Sequence, residues 1–252
     1  MDGDFEQYRA RLATWLKPDA WRGQLTVAKA SPKVRNGQPS RFRGVSVLSA
    51  SGEPEHCNRE CLAWLSELQG RLRVTFGDGD FFWLPPKQLH LTIADLIAGP
   101  GYESSVQKTE GFERRFAQAL ETIRTGATSR ARPLRWRFAG IVFFEHAIGC
   151  VLTPVSTQDY QPLVDLRESI YRSAELLNLG VAVPRPYIAH FTLGYFASIP
   201  TSRQRASWSD HYDEVATWFS CARDWTIGGA ELMAFDDMVS YQPDPSGWSI
   251  TF

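Results

Sequence analysis

The feature that most constrains this chain is a repeated tetrapeptide, His90-Leu91-Thr92-Ile93 and His190-Phe191-Thr192-Leu193, the two copies 100 residues apart. With 5 His among 252 residues, roughly 0.06 copies of His-apolar-Thr-apolar are expected by chance. On an extended strand alternate side chains share a face, so each His points the same way as its Thr. The apolar residues between them point to the other face. Each copy therefore predicts a strand that is backed by core on one side and offers imidazole and hydroxyl on the other. Two such strands facing across a groove supply two proton carriers and two hydroxyl donors.

That equipment suits phosphodiester cleavage without a metal. One group must take a proton from the nucleophile and another must protonate the leaving oxygen. Imidazole serves either role because its ordinary pKa of about 6.5 lies near working pH. His90 and His190 are the candidate catalytic pair, with the acid and base roles open between them. Thr92 and Thr192 are candidate phosphate-binding donors to the non-bridging oxygens.

The surroundings of the two copies match. Phe81-Phe82-Trp83-Leu84-Pro85-Pro86-Lys87-Gln88-Leu89 leads into the first, and Val183-Pro184-Arg185-Pro186-Tyr187-Ile188-Ala189 leads into the second. In both, prolines stop the preceding element before an apolar, β-rich run. The pair resembles the signature of the 2H phosphoesterase superfamily, the 2′-5′ RNA ligase-like and cyclic phosphodiesterase proteins. Further stretches are similar to a less characterised bacterial branch: Lys33-Val34-Arg35-Asn36-Gly37 through Phe42-Arg43-Gly44, Leu84-Pro85-Pro86, and Phe235-Asp236-Asp237-Met238. The likeness runs from about residue 33 to 240, and the His-x-Thr pair is its specific part.

The resemblance implies a metal-independent hydrolase of 2′,3′-cyclic phosphates or of 2′-5′-linked nucleotide and RNA-end substrates, with no cofactor. RNA 3′-end trimming and 2′-5′ ligation are alternatives within that chemistry. A nucleotide- or RNA-end-binding module without turnover is the alternative outside it. Arg185 and Tyr187 resemble the Arg-x-aromatic lead-in of some members. Arg185 is accordingly a candidate phosphate grip, since a guanidinium binds phosphate bidentately, and Tyr187 a candidate substrate contact. Tyr195 lies at odd spacing from His190, so strict alternation turns it away from the groove unless Gly194 introduces a bulge.

A net charge of −1 argues against a broad footprint for long nucleic acid and suits a nucleotide or strand end. The first residues, Met1-Asp2-Gly3-Asp4-Phe5-Glu6, are acidic and polar, unlike a secretory signal. No apolar run approaches the ~20 residues that span a bilayer. With four Cys in no disulfide-rich spacing, a cytoplasmic protein with reduced thiols is the expectation. His56, Cys57 and Cys61 lack a fourth zinc ligand at sensible spacing. Asp78 and Asp80 read as a hairpin turn rather than a metal loop. No metal is expected.

Along the chain, residues 4–16 predict a helix closed by Pro18, and Ala30–Gly44 a basic surface loop that could cover a substrate. Val45–Leu48 reads as a strand and Glu55–Gln69 as a helix, followed by a hairpin of 72–76 with 81–83. Gly111–Arg124 and Leu163–Leu179 read as helices, Leu134–Phe144 and Ile148–Val155 as strands around His146. Arg203–Phe219 closes as a helix and Ala230–Val239 as a strand. Each half thus carries strand, helix and motif strand in order. The prediction is a single α+β domain over residues 1–252, with two pseudo-symmetric lobes, antiparallel-rich sheets lining a central cleft and helices outside. Residues 1–43 form an N-terminal helix and loop extension, and 200–252 a C-terminal helix and strand.

Overall fold

The computed structural model describes residues 2–49, 54–126, 132–182, 186–221 and 223–252. Within it the chain is α+β, with one motif on each of two antiparallel sheets. The first sheet is ordered β11 (Tyr241–Pro243), β10 (Gly229–Phe235), β3 (Gly44–Ser49) and β5 (Thr92–Ala98), and β12 (Ser249–Thr251) also pairs with β10. The second is ordered β4 (Phe81–Trp83), β8 (His190–Phe196), β7 (Ala147–Pro154), β6 (Leu134–Phe143) and β9 (Asp224–Ile227). The expected C-terminal strand is thus an inner strand of the first sheet, beside β3. An antiparallel bridge between Leu91 and Phe191 joins the two sheets. The basic loop contributes a small ribbon, β1 (Val34–Arg35) with β2 (Gln38–Pro39).

The helices pack around these sheets: α1 (Phe5–Trp15), α2 (Pro18–Thr26), α3 (Pro54–Phe76), α4 (Pro100–Lys108), α5 (Phe112–Gly126), α6 (Thr157–Tyr171), α7 (Ala174–Asn178), α8 (Ser202–Asp210) and α9 (Tyr212–Thr217). α1 starts where Asp4 and Gln7 form a reciprocal capping box, and it buries Tyr8 and Leu12. α2 was hidden because Pro18, read as the end of α1, occupies the first turn of a new helix, where its missing N–H costs nothing.

The expected strand at 72–76 is instead the last part of α3. Leu65, Leu68, Leu72 and Phe76 are all buried, so the apolar stripe keeps helical spacing past Gly70. It stops at Gly77, whose φ of +94° ends the helix in the left-handed region. The helix expected at 163–179 begins at Thr157 and divides after Tyr171, because the Ser173 hydroxyl accepts from Leu176 N and starts α7. The one expected at 203–219 divides at His211 into α8 and α9.

Candidate active site

Each motif is backed by core as its alternation requires: Leu91, Ile93, Phe191 and Leu193 are fully buried. His90 itself precedes β5, which begins at Thr92. Because Leu91 and Phe191 are antiparallel partners, the register sets His90 opposite Thr192 and Thr92 opposite His190. The four side chains line one cleft of about 1030 Å³.

The two imidazoles are anchored identically. His90 Nδ1 lies 2.8 Å from the Gln88 carbonyl oxygen, and His190 Nδ1 lies 2.8 Å from that of Ile188. A carbonyl only accepts, so Nδ1 carries the proton in each and Nε2 keeps its lone pair for the cleft. Each ring is flanked by one aromatic, His90 by Tyr241 at 4.5 Å between centroids and His190 by Phe144 at 4.3 Å. Gly149 permits the second contact. A Cβ there would stand 2.8 Å from the Phe144 ring and 3.3 Å from His190 Cδ2.

Burial pushes both imidazoles below their ordinary value of 6.5, His90 to about 4. The carbonyl hydrogen bonds and the Asp95 carboxylate oppose that shift, while the Lys33 ammonium adds to it. Both rings therefore stand neutral at pH 7.

A bulge follows each Thr. In β5, Thr92 pairs with Leu48 and Ala94 with Val47, leaving Ile93 as the extra residue. In β8, Thr192 pairs with Gly149 and Gly194 with Ile148, leaving Leu193 extra. An extra residue reverses the alternation, so the residue three beyond each Thr returns to the cleft. These are Asp95 and Tyr195, and both line it. The bulge that would bring Tyr195 into the groove is present, centred on Leu193 beside Gly194.

Buried side chains hold both bulges from behind. Arg167 on α6 donates from Nη1 to the Ile93 carbonyl and from Nε to Asp2 Oδ2 at 2.7 Å, and both residues are buried. Asp2 Oδ1 accepts from Tyr187 N at 2.9 Å. The hydroxyls of Tyr187 and Tyr171 donate to the carbonyls of Thr92 and Asp95, at 2.9 and 2.7 Å. On the other strand Gln69, buried on α3, donates from Nε2 to the carbonyls of Leu193 and Leu84 at 2.8 and 2.7 Å.

His90, Thr92, His190 and Thr192 are thus brought together. Tyr187, expected at the substrate, is not: it is buried beneath the first motif, and its ring lies 4.0 Å from the Arg167 guanidinium carbon. Arg185 lies outside the described residues, as do the side chains of His56 and Cys57. Asp78 is occupied by Arg73 at 2.7 Å and Asp80 by Gln204 at 2.6 Å. Among the described residues no group of three or more His, Cys, Asp or Glu is placed to hold a metal. No helix among them is long and apolar enough to cross a membrane.

Sequence reasoning missed Asp95, Tyr241, Phe144 and Lys33 as individual residues. Lys33 carried a signal, because it lies in the basic loop expected to cover a substrate. Its ammonium stands 5.1 Å from the centroid of Tyr195 and 5.3 Å from that of Phe42, at the cleft. His146, between the two strands, also lines the cleft, with Nδ1 held 3.0 Å from the Ala30 carbonyl oxygen.

No protein-family model matches this chain, and no curated protein matches it. Among solved structures it is similar to ATU0111, a conserved protein of unknown function from Agrobacterium tumefaciens, at 15% identity and a TM-score of 0.59. That superposition covers 85% of this chain and 90% of the other, and it shows a shared fold. Two shallower superpositions reach a TM-score of 0.47. One is with E. coli LigT complexed with 3′-AMP, at 12% identity over 84% of this chain and 99% of LigT. The other is with TT0787 of Thermus thermophilus, at 16% identity over 83% and 97%.

Proposed function

We propose that this chain is a 2H-type phosphoesterase that cleaves 2′,3′-cyclic phosphates or 2′-5′-linked nucleotides without a metal ion. The observation that carries the reading is the matched pair of imidazoles. Each is fixed through Nδ1 to the carbonyl two residues back, across one antiparallel bridge, in a cleft that also holds both Thr hydroxyls.

With a cyclic phosphate in the cleft, Nε2 of one His takes a proton from water as its oxygen bonds to phosphorus. Nε2 of the other gives a proton to the ribose oxygen as its bond to phosphorus breaks. The donor must be charged before it acts, yet burial keeps both rings neutral when the cleft holds water alone. The phosphate's negative charge reverses that preference for the nearer ring. Thr92 and Thr192 donate to the non-bridging oxygens, and Lys33 adds positive charge as the pentacoordinate state forms. A binding module would not require two proton carriers held in the same tautomer.

The test is turnover of 2′,3′-cyclic mononucleotides and 2′-5′ dinucleotides by EDTA-treated protein. Hydrolysis is expected, and each of His90→Ala and His190→Ala is expected to lower kcat by about 10²–10⁴-fold. Near-wild-type turnover in either variant, or activity that returns only with added divalent metal, would overturn the reading.

A further inference from the structure

Asp95 is out of character for a cleft that receives an anion. It is the exposed residue of a strand whose other members are buried or half-buried. Its carboxylate lines the same cleft as both imidazoles and both Thr hydroxyls. Among the described residues it forms no ion pair, and its one side-chain hydrogen bond is a long one, 3.5 Å from Ser46 Oγ to Oδ1. No hydrogen bond of Oδ2 is seen among the described residues.

This placement is built. Without the Ile93 bulge, position 95 would face the core, since 95 − 92 is odd. The bulged backbone is held at three points, by Tyr187 on the Thr92 carbonyl, Arg167 on the Ile93 carbonyl and Tyr171 on the Asp95 carbonyl. The Arg167–Asp2 pair behind them is wholly buried, and burying two charges carries a desolvation cost.

A carboxylate repels phosphate itself, but it attracts a hydroxyl donor that the ligand carries close to the phosphate. An ionised carboxyl is acceptor-only and bonds strongly to a hydroxyl. Resting on the phosphoesterase reading of this cleft, we propose that Asp95 is a specificity-determining residue. It accepts a hydrogen bond from a free hydroxyl on the carbon beside the phosphorylated one, and so favours 2′-5′-linked nucleotides and 2′-phosphates over 2′,3′-cyclic phosphates, in which both of those oxygens are bonded to phosphorus. In a 2′-phosphorylated nucleoside that group is the 3′-hydroxyl. The corresponding position beyond the second motif is Tyr195, whose hydroxyl turns to Met238 Sδ at 3.2 Å, so the selection acts from one side of the cleft only.

The test compares Kd, by calorimetry, for a nucleoside 2′-monophosphate, its 3′-deoxy counterpart and inorganic phosphate. Wild type is expected to favour the hydroxyl-bearing ligand by roughly ten- to hundredfold, the worth of a hydrogen bond to a charged group. In Asp95→Ala that ratio should fall to near one, with inorganic phosphate bound as tightly as before or tighter. Asp95→Asn, which keeps an acceptor without the charge, should retain part of the preference. A wild-type ratio of one overturns the assignment, as does an Asp95→Ala protein that keeps the ratio. Equal weakening towards both nucleotides with the ratio unchanged would make Asp95 merely structural and also overturns it. If wild type binds none of the three ligands, the phosphoester reading of the cleft fails, and this inference falls with it.

Discussion

The strand carrying the first motif is held at its bulge by a buried ion pair and two tyrosines, whereas the strand carrying the second is held by one neutral carboxamide. Both supports produce the same result: His, Thr and the residue three beyond Thr on one face, with an extra apolar residue sunk into the core. The pseudo-symmetry of the site therefore lies in its backbone, not in the side chains that hold it. The first support draws on the N-terminal residue Asp2, on α6 and on the segment before β8, and so ties distant parts of the chain to Thr92, Ile93 and Asp95. The second draws on α3 and on the Leu84 N–H, which donates to the Leu193 carbonyl at 3.0 Å.

The comparison breaks first, and with the largest effect, at the histidines. If the strands are equivalent in function, His90→Ala and His190→Ala lower kcat by similar factors within the 10²–10⁴-fold range of general acid–base groups. The double variant should then lose little beyond the worse single one, because both act in one step. A hundredfold disparity between the singles, in steady-state turnover of a cyclic nucleotide, would mean that the two strands are alike in shape only.

Next in size is Arg167→Leu, which leaves the Asp2 carboxylate buried and unpaired. Breaking a buried pair from one side costs about 3–5 kcal/mol, measured as loss of unfolding free energy in urea. Replacing Asp2 as well should recover part of that, since the stranded charge is then gone. A double variant as unstable as the sum of the two singles would show that the pair is not what holds the bulge.

Gln69→Leu tests the neutral support and should cost less, about 1–3 kcal/mol, because it takes the Gln69 donor from the Leu84 carbonyl, leaves the Leu193 carbonyl with the Leu84 N–H, and strands no charge. Its effect on turnover should exceed what stability alone predicts, because Leu193 precedes Tyr195 and follows Thr192 in the cleft wall. Destabilisation equal to that of Arg167→Leu would erase the difference between a charged and a neutral support.

The two strands also show what a sequence reveals. The motif alternation predicted which residues back the core, and Leu91, Ile93, Phe191 and Leu193 are all buried. Alternation cannot reveal where it is interrupted, so Asp95 lay hidden and Tyr195 depended on a bulge that Gly194 permits but does not by itself fix. The side chain that bonds each bulged carbonyl is 74 residues away for Arg167 and 124 for Gln69. Asp2 read only as part of a polar terminus, because burial of a charge near a chain end has no periodic signature. The region 72–76 failed for the converse reason. Leu72, Val74 and Phe76 fit a strand pattern of period two, while Val74 is 87% exposed and Leu72 and Phe76 continue a helical stripe. Short apolar runs satisfy both periods.

The smallest expected effect concerns Lys33, which stands by both strands at once. Its charge disfavours the imidazolium form of His90 and of His190, adding to the larger influence of burial. The acid limb of kcat/KM reports the pKa of the base in the free enzyme. Both rings lie below 6.5, so that limb is expected on the acid side of 6.5, near 4 if His90 is the base. Removing the ammonium in Lys33→Met should move the limb upward, towards 6.5, by less than about one pH unit, the size of a single partly screened charge interaction. The base is then protonated over a wider range, so activity on the acid side falls. KM for an anionic substrate should rise at every pH. If the limb moves down, or stays fixed while KM rises, Lys33 meets the substrate but not the imidazoles. If the limb moves up in Lys33→Met combined with His190→Ala but not with His90→Ala, measured on residual turnover, His90 carries it and the two strands differ in role.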